Sequence, residues 1–410
     1  MTNKQLLIAT LLIGLIAVLF TYKNIINKAT TSSIAFLSTY KAVSFFSKMP
    51  EHTNRTNLVP TNTDSASTGS AVLSDLFVDN QPKTPVYFFS HGGPTFMYPK
   101  ADFGGEPGAY RVVSNVGKFI KNKMKPKFIV VISAHWQSNS GNLIEVAVPR
   151  GSSNTNRGSS DLFGSRSRHS NKSSAKTLDP DENELIYDFY GFPDHMYKEE
   201  FHSRSNLGLA KDIVAEINKS ESQLEAALSV RGIDHGTWVP FKVAFSTNKA
   251  PDELWDLEVP LVQVSLSSSD DFNRHYELGK ILSKYRNLGG LIVTSGMSVH
   301  NLRDLGLSMS QGGRPLPYVK KFNDIIREIL TNDTNNGKKL EKLNELQENS
   351  SLRKILFSAH PTLEHFMPLV VALGASEGIE AKDQYLAQEL YSSETLSLGW
   401  GIYQFGKYEN

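Results

Sequence analysis

Three apolar runs in this chain of 410 residues end at a histidine. Tyr87-Phe88-Phe89 leads into Ser90-His91-Gly92-Gly93-Pro94, and Phe128 to Ala134 leads into His135-Trp136. Leu291 to Ser295 passes a turn at Gly296 and reaches His300. An apolar run bounded by breakers reads as a buried strand. The carboxyl ends of strands in an α/β sheet face the crevice where ligands bind. Imidazole suits zinc and non-haem iron and titrates near neutrality, so histidines gathered there can hold a metal or move a proton. His235, in Asp234-His235-Gly236-Thr237-Trp238, and His365, in Glu364-His365-Phe366-Met367-Pro368-Leu369, lie at further apparent element ends. His52, His169, His195, His202 and His275 sit in polar surroundings and read as surface or supporting residues. A single buried histidine is more often a satisfied core residue than a ligand; the repetition at strand ends is what raises a metal site.

The elements that must position these side chains follow from pattern. Ala109 to Lys123 carries apolar Val112, Val113, Val116, Phe119 and Ile120 at helical spacing. Leu143 to Val148 and Pro260 to Leu266 read as strands; Ser205 to Ile217, Ser222 to Leu228, Asp271 to Tyr285 and Pro317 to Leu330 read as helices. His360 to Leu369 runs into an apolar helix to Gly374, and Thr395 to Gly399 reads as a closing strand. The chain has no cysteine, so any metal must use histidine and carboxylate ligands. Charge is balanced, 43 basic residues against 42 acidic, which implies no nucleic-acid partner.

The ends and insertions differ in kind. Leu6 to Phe20 is uncharged and apolar or small, and no clear small-x-small cleavage site follows it, so residues 1–22 read as a transmembrane or signal anchor. Residues 23–81 read as a polar stalk or linker and 82–410 as the folded body. Lys4 on one side, and Lys23 and Lys28 on the other, favour a cytosolic or matrix-side body, and the lack of Asp and Glu in the first 50 residues fits a mitochondrial presequence with a following span, so a single-pass mitochondrial or endoplasmic-reticulum membrane is the expectation. Polar insertions are expected at about 151–183 and 331–352, the second helical or loose.

Taken in order, Ser90-His91-Gly92-Gly93-Pro94, Ser133-Ala134-His135-Trp136, Asp234-His235-Gly236-Thr237-Trp238, His300-Asn301-Leu302-Arg303 and Glu364-His365-Phe366-Met367-Pro368-Leu369 resemble the motifs of the class III extradiol ring-cleavage dioxygenases, in the branch similar to DOPA extradiol dioxygenase. The resemblance runs from about Pro85 to Phe405. It implies a single α/β domain with a central mixed sheet flanked by helices. It implies that His91, His135 and His365 are metal ligands. His300 is then a fourth zinc ligand or the acid/base histidine of an iron mechanism, and His235 is a second catalytic residue that lies in the pocket and orients substrate or oxygen. His360 lies outside the family pattern. One Zn(II) or Fe(II) per chain, a small DOPA-like catechol and O₂ are the implied cofactor and substrates.

Catechol-cleaving relatives often supply a carboxylate where His365 stands, completing a two-histidine, one-carboxylate face on Fe(II). A histidine there makes the donor set neutral and shifts it toward zinc. Glu364 is expected to point away if His365 points in. Trp136, Tyr190 and Phe192 are candidate walls for a flat ring. The competing readings are a zinc-dependent hydrolase built on the same cluster and a non-catalytic zinc-binding adaptor of the same fold.

Overall fold

The computed structural model describes residues 76–77, 83–100, 105–151, 179–250, 252–377 and 387–408. The anchor expected at 1–22 lies outside them, as do most of the stalk and residues 152–178 of the first insertion. No helix among the described residues is long and apolar enough to cross a membrane.

The body is an eight-stranded mixed sheet. Its strands are β1 (Val86–Ser90), β2 (Phe128–Gln137), β3 (Leu143–Val148), β4 (Glu225–Val230), β5 (Leu261–Leu266), β6 (Gly290–Gly296), β8 (Gln388–Tyr391) and β11 (Ile402–Phe405), in spatial order β4-β3-β5-β2-β6-β1-β11-β8. The central strands β5, β2, β6 and β1 run parallel. Their carboxyl ends therefore share one edge, and that edge carries the histidines. Antiparallel pairing joins β11 to β1 and to β8, and β3 to β5. A small second sheet, β7-β10-β9, consists of β7 (Val299–His300), β9 (Glu394–Thr395) and β10 (Leu398–Gly399).

Both faces of the central strands are apolar because both are covered, as parallel pairing requires. Phe128, Val130 and Ile132 of β2 face one core, which also holds Val262, Val264 and Ile292. That core is roofed by α2 (Leu207–Lys219), α4 (Phe272–Leu282), α6 (Pro317–Thr331), α7 (Asn336–Glu348), α8 (Ser350–Ala359) and α9 (Met367–Ala375). Ile129 and Val131 face a second core with Tyr87, Phe89 and Val293, under α1 (Pro107–Phe119) and α3 (His235–Phe245). Each such side chain, fully buried, contributes about 1.5–3 kcal/mol. Every residue of α9 is buried, as expected of a helix apolar all round. It lies hard against α4 because glycines meet there: a Cβ on Gly279 would fall 2.1 Å from the Val371 carbonyl oxygen, and one on Gly374 1.9 Å from that of Tyr276. A short α5 (Leu305–Ser310) completes the helices.

Two expectations are corrected and one is narrowed. Ser222 to Leu228 is not a helix: the chain runs as edge strand β4, in register from Glu225 opposite Leu143 to Val230 opposite Val148. Leu224, Ala226 and Leu228 bury alternately, a period of two that the sheet edge rewards over the helix propensity of Leu-Glu-Ala-Ala. Thr395 to Gly399 does not close the main sheet; Leu396 takes a positive φ of 59° and folds the segment into the small sheet. The closing strand is Ile402–Phe405, paired to β1. The polar stretch 331–352 takes the helical of its two expected forms. It supplies α7 and the start of α8, and Leu343 and Leu346 enter the core.

Candidate metal centre

Five histidines meet at the carboxyl edge of β1, β2 and β6. His91 directly follows β1, and its amide donates to the Gly296 carbonyl at 3.0 Å. His135 lies within β2 where the register to β5 shifts, and its amide donates to Ser133 Oγ at 3.2 Å. His365 stands just before α9; its carbonyl accepts the Met297 amide at 3.0 Å, and a Cβ on Gly296 would sit 2.2 Å from that oxygen. His235 opens α3, and His300 ends β7. His91, His235 and His365 are buried; His135 and His300 are half-buried.

The nitrogens converge. His91 Nε2 lies 3.1 Å from His135 Nε2, which lies 3.3 Å from His365 Nε2. Two imidazole nitrogens bonded at 2.0–2.1 Å to one tetrahedral ion stand about 3.4 Å apart. The far side of each ring explains why the lone pairs point inward. His91 Nδ1 meets Ser295 Oγ at 2.9 Å, and the Ser295 hydroxyl donates its one proton to the Gly236 carbonyl, so Oγ must accept from His91 Nδ1–H. His365 Nδ1 meets Glu364 Oε1 at 2.9 Å, a carboxylate that accepts. His135 Nδ1 lies 3.4 Å from Asp188 Oδ2. With protons on Nδ1, each Nε2 is left as an acceptor facing other acceptors. That arrangement fits a shared cation, with the outer partners metal-bound histidines commonly have.

His235 and His300 enter differently. The His235 ring lies 3.9 Å from that of His135, centroid to centroid, with its Nδ1 2.9 Å from Asp188 Oδ1. The His300 ring stacks on His365 at 3.5 Å and 12°, meeting the trio by its face. Ligand atoms of His91, His135 and His235 also lie within 4.8 Å of one another, as do those of His300, Glu364 and His365. Charge separates the roles. Burial first, then neighbouring imidazoles, push His91, His135 and His300 well below the ordinary histidine range, so these rings are neutral. Burial would lower His235 too, but the Asp188 carboxylate reverses the balance and raises it. Of these four rings His235 is therefore the one that most readily keeps a second proton.

Packing around the centre is tight. A Cβ on Gly236 would lie 2.4 Å from Ser133 Oγ and 2.8 Å from the His135 ring. Gly92 needs its glycine twice over: its φ is +56°, and a Cβ would meet Trp400 at 2.2 Å. Asp234 accepts from Ser133 Oγ at 2.6 Å, Gln263 Nε2 at 2.5 Å and Arg231 at 3.1 Å. Arg231 also donates to the His135 carbonyl at 3.3 Å and lies 4.6 Å over the Trp136 ring.

Several expectations change. Glu364 does not point away. It folds back onto its neighbour's ring, and although burial alone would raise its carboxyl, the hydrogen bond and charge of His365 hold it well below the usual range. Trp136 is core: it is buried under Arg231. Tyr190 is exposed and Phe192 half-buried beside Gly93, whereas Phe189 is the ring that meets His235, edge-on at 5.7 Å. His275 is fully buried on α4, its Nδ1 2.9 Å from the Asp271 carbonyl, because it faces the core from inside a helix whose polar residues misled. His195 is exposed, and His202 lies between Glu182 at 2.8 Å and Glu200 at 3.5 Å. His52 and His169 lie outside the described residues. His360 stays out of the cluster; its Nε2 lies 2.9 Å from the Ser298 carbonyl oxygen, and burial pushes its ring down to about 4. Asp188, Ser295 and Arg231 were not foreseen. Asp188 alone left a trace, a lone charge inside Ile186-Tyr187-Asp188-Phe189-Tyr190.

Comparison with known proteins agrees with this geometry. Residues 85–399 match the model of the catalytic LigB subunit of aromatic ring-opening dioxygenase. A 4,5-DOPA dioxygenase extradiol-like protein of Schizosaccharomyces pombe is 31% identical over 306 residues, 73% of this chain and 86% of the relative. The 4,5-DOPA dioxygenase extradiol of Beta vulgaris is 27% identical over 340 residues, 81% and 97% of the two chains. The crystal structure of an uncharacterized protein from Escherichia coli K12 superposes with a TM-score of 0.51 at 22% identity, covering 79% of this chain and all (100%) of the other, which speaks for the fold. The motif order, the histidine edge and these matches together identify the chain as a member of the LigB-type class III extradiol aromatic ring-opening dioxygenases, in the DOPA-extradiol-like branch.

Proposed function

We propose that the protein opens the ring of a small DOPA-like catechol beside one of its hydroxyls, inserting both atoms of O₂, with one Fe(II) or Zn(II) per chain held by His91, His135 and His365. The observation that carries the reading is the meeting of three Nε2 atoms whose rings each face an oxygen of Ser295, Asp188 or Glu364 on the far side. A metal held by His91, His135 and His365 would supply a Lewis-acidic, redox-capable centre for a catechol and O₂.

The chain's own residues divide the proton work. His300, kept neutral by burial, accepts the catechol hydroxyl proton. His235, raised by Asp188, holds a proton to return as the ring opens. Two groups pushed apart in this way are the signature of an acid/base pair. His300 joins the metal as a fourth ligand in the zinc variant of this reading. Phe192, half-buried beside Gly93, offers apolar surface for a flat ring, and Phe189 backs His235 from the core.

A neutral three-imidazole set also suits zinc, which sustains two competing readings: a hydrolase and a non-catalytic adaptor. Anaerobic purification with Fe(II), followed by oxygen uptake against a panel of catechols and the absorbance of yellow ring-opened products, decides among them. Oxygen uptake matched one to one by product supports ring opening. A metal-loaded protein that consumes no oxygen with any catechol sinks it. Residues 1–22 are proposed as a single-pass anchor in a mitochondrial or endoplasmic-reticulum membrane, which fractionation of the full chain with and without that segment tests.

A further inference from the structure

Asp188 stands between two histidines of unlike role. Its Oδ2 lies 3.4 Å from His135 Nδ1, and its Oδ1 lies 2.9 Å from His235 Nδ1. Oδ1 also accepts the His235 backbone amide at 2.9 Å, which fixes the carboxylate to the first turn of α3. In this geometry His235 Nδ1 lies off the hydrogen-bonding direction, so proximity and charge pair it with the carboxylate.

The backbone on both sides of Asp188 is braced. The Ile186 amide donates to the Ile233 carbonyl at 2.9 Å, and the Ile186 carbonyl accepts Trp238 Nε1 at 3.0 Å. Tyr187 Oη donates to the Glu199 carbonyl at 2.6 Å, and the Phe189 carbonyl accepts Tyr197 Oη at 3.2 Å. A carboxylate carried by an irregular segment is thus held as firmly as one on a strand. Such bracing of a single half-buried charge in an aromatic run has no evident use in stability: a carboxylate partly withdrawn from water is a burden unless its partners need it.

We propose that Asp188 is the positioning residue that ties the metal ligand His135 to the pocket histidine His235. One oxygen holds the Nδ1–H form of His135, leaving Nε2 for the metal; the other holds the His235 ring in place across the same site. A carboxylate can do this because both its oxygens accept. An amide of the same shape has one accepting oxygen and one donating nitrogen, so it can hold one ring in this tautomer and must oppose the other. The inference rests on His135 being a metal ligand, as read above.

The test is Asp188→Asn in the full chain, with Asp188→Glu beside it, loaded with Co(II) as a spectroscopic probe. Chelator competition gives affinity, the visible spectrum reports the ligand field, and oxygen uptake gives kcat and KM for whichever catechol the parent chain opens. Asp188→Asn is expected to bind Co(II) on the order of 10–100-fold more weakly. Its spectrum should be displaced, and kcat should fall with little change in KM. Asp188→Glu should recover part of the affinity. Parental affinity and spectrum in Asp188→Asn overturn the inference, even if ring opening is confirmed. A parent chain that binds Co(II), opens no catechol, and loses affinity and spectrum in Asp188→Asn upholds the inference while the ring-opening reading fails. Should the amide variant not fold, Asp188→Glu decides: its longer arm displaces the spectrum if the inference holds and leaves it unchanged if not.

Discussion

The two ends of the same strands treat buried ionisable groups in opposite ways. At the amino ends of β1 and β6, Arg286 is 2% exposed, and among the described residues its hydrogen-bond partners are all backbone carbonyls. Its Nε donates to the Thr84 carbonyl at 2.7 Å and its Nη1 to the carbonyl of Ala375, the last residue of α9, at 3.0 Å. A helix end offers bare carbonyls and partial negative charge, so the cation and its surroundings are matched. Burial lowers the guanidinium only to about 10, and it stays charged. At the carboxyl ends, His91, His135 and His365 turn acceptors toward acceptors. Chain atoms complete the first arrangement; a cation completes the second. A buried polar group whose partners are all supplied by the fold serves stability, and a converging set left short of one charge serves function.

Removing a ligand tests the second half of the contrast most severely. His135→Ala, and equally His91→Ala, should lose metal to background by elemental analysis while circular dichroism and Tm stay near the parent's. Full metal occupancy in either variant would put the site elsewhere. At the other end, Arg286→Met should leave metal content unchanged but lower stability by about 3 kcal/mol, because buried carbonyls lose their donors. Urea unfolding measures it, and a metal loss without a stability loss would break the distinction.

His300→Gln sharpens the comparison inside the cluster. If the ring works by its face and as a proton acceptor, metal stays and kcat falls on the order of a hundredfold. His365→Ala should instead lose the metal. Similar metal loss in both variants would make His300 a fourth ligand. The smallest effect concerns Lys339, a buried cation with weaker support, Asn336 Oδ1 at 3.4 Å in its own helix. Burial lowers it from 10.5 to about 8, so the folded chain binds this proton less tightly than the unfolded chain. The charged form therefore weakens the fold below pH about 8, and the penalty fades as pH rises toward 10.5. Lys339→Met should raise Tm slightly at pH 7, with the gain closing by pH 10. A gain independent of pH would mean that packing, not charge, is responsible.

The sequence by itself determined more of the centre than of the frame around it. His91, His135 and His300 stand at the ends of apolar runs, and the motif order carried His235 and His365; all five meet in the structure. Strand ends are local facts, set by where apolar residues stop and glycine begins. The partners that orient those rings are not local. Ser295 reaches His91 from 204 positions away, and Asp188 meets His135 and His235 from a segment without regular structure. No periodicity marks such residues, because one hydrogen bond leaves no repeating pattern. β4 and the Ile402–Phe405 strand were misread for a related reason: which edge a short segment pairs with depends on neighbours far along the chain. Only the folded chain decided which nitrogen of each ring faces inward, and that choice, made by a serine and two carboxylates, turns five histidines into a site fit for a metal.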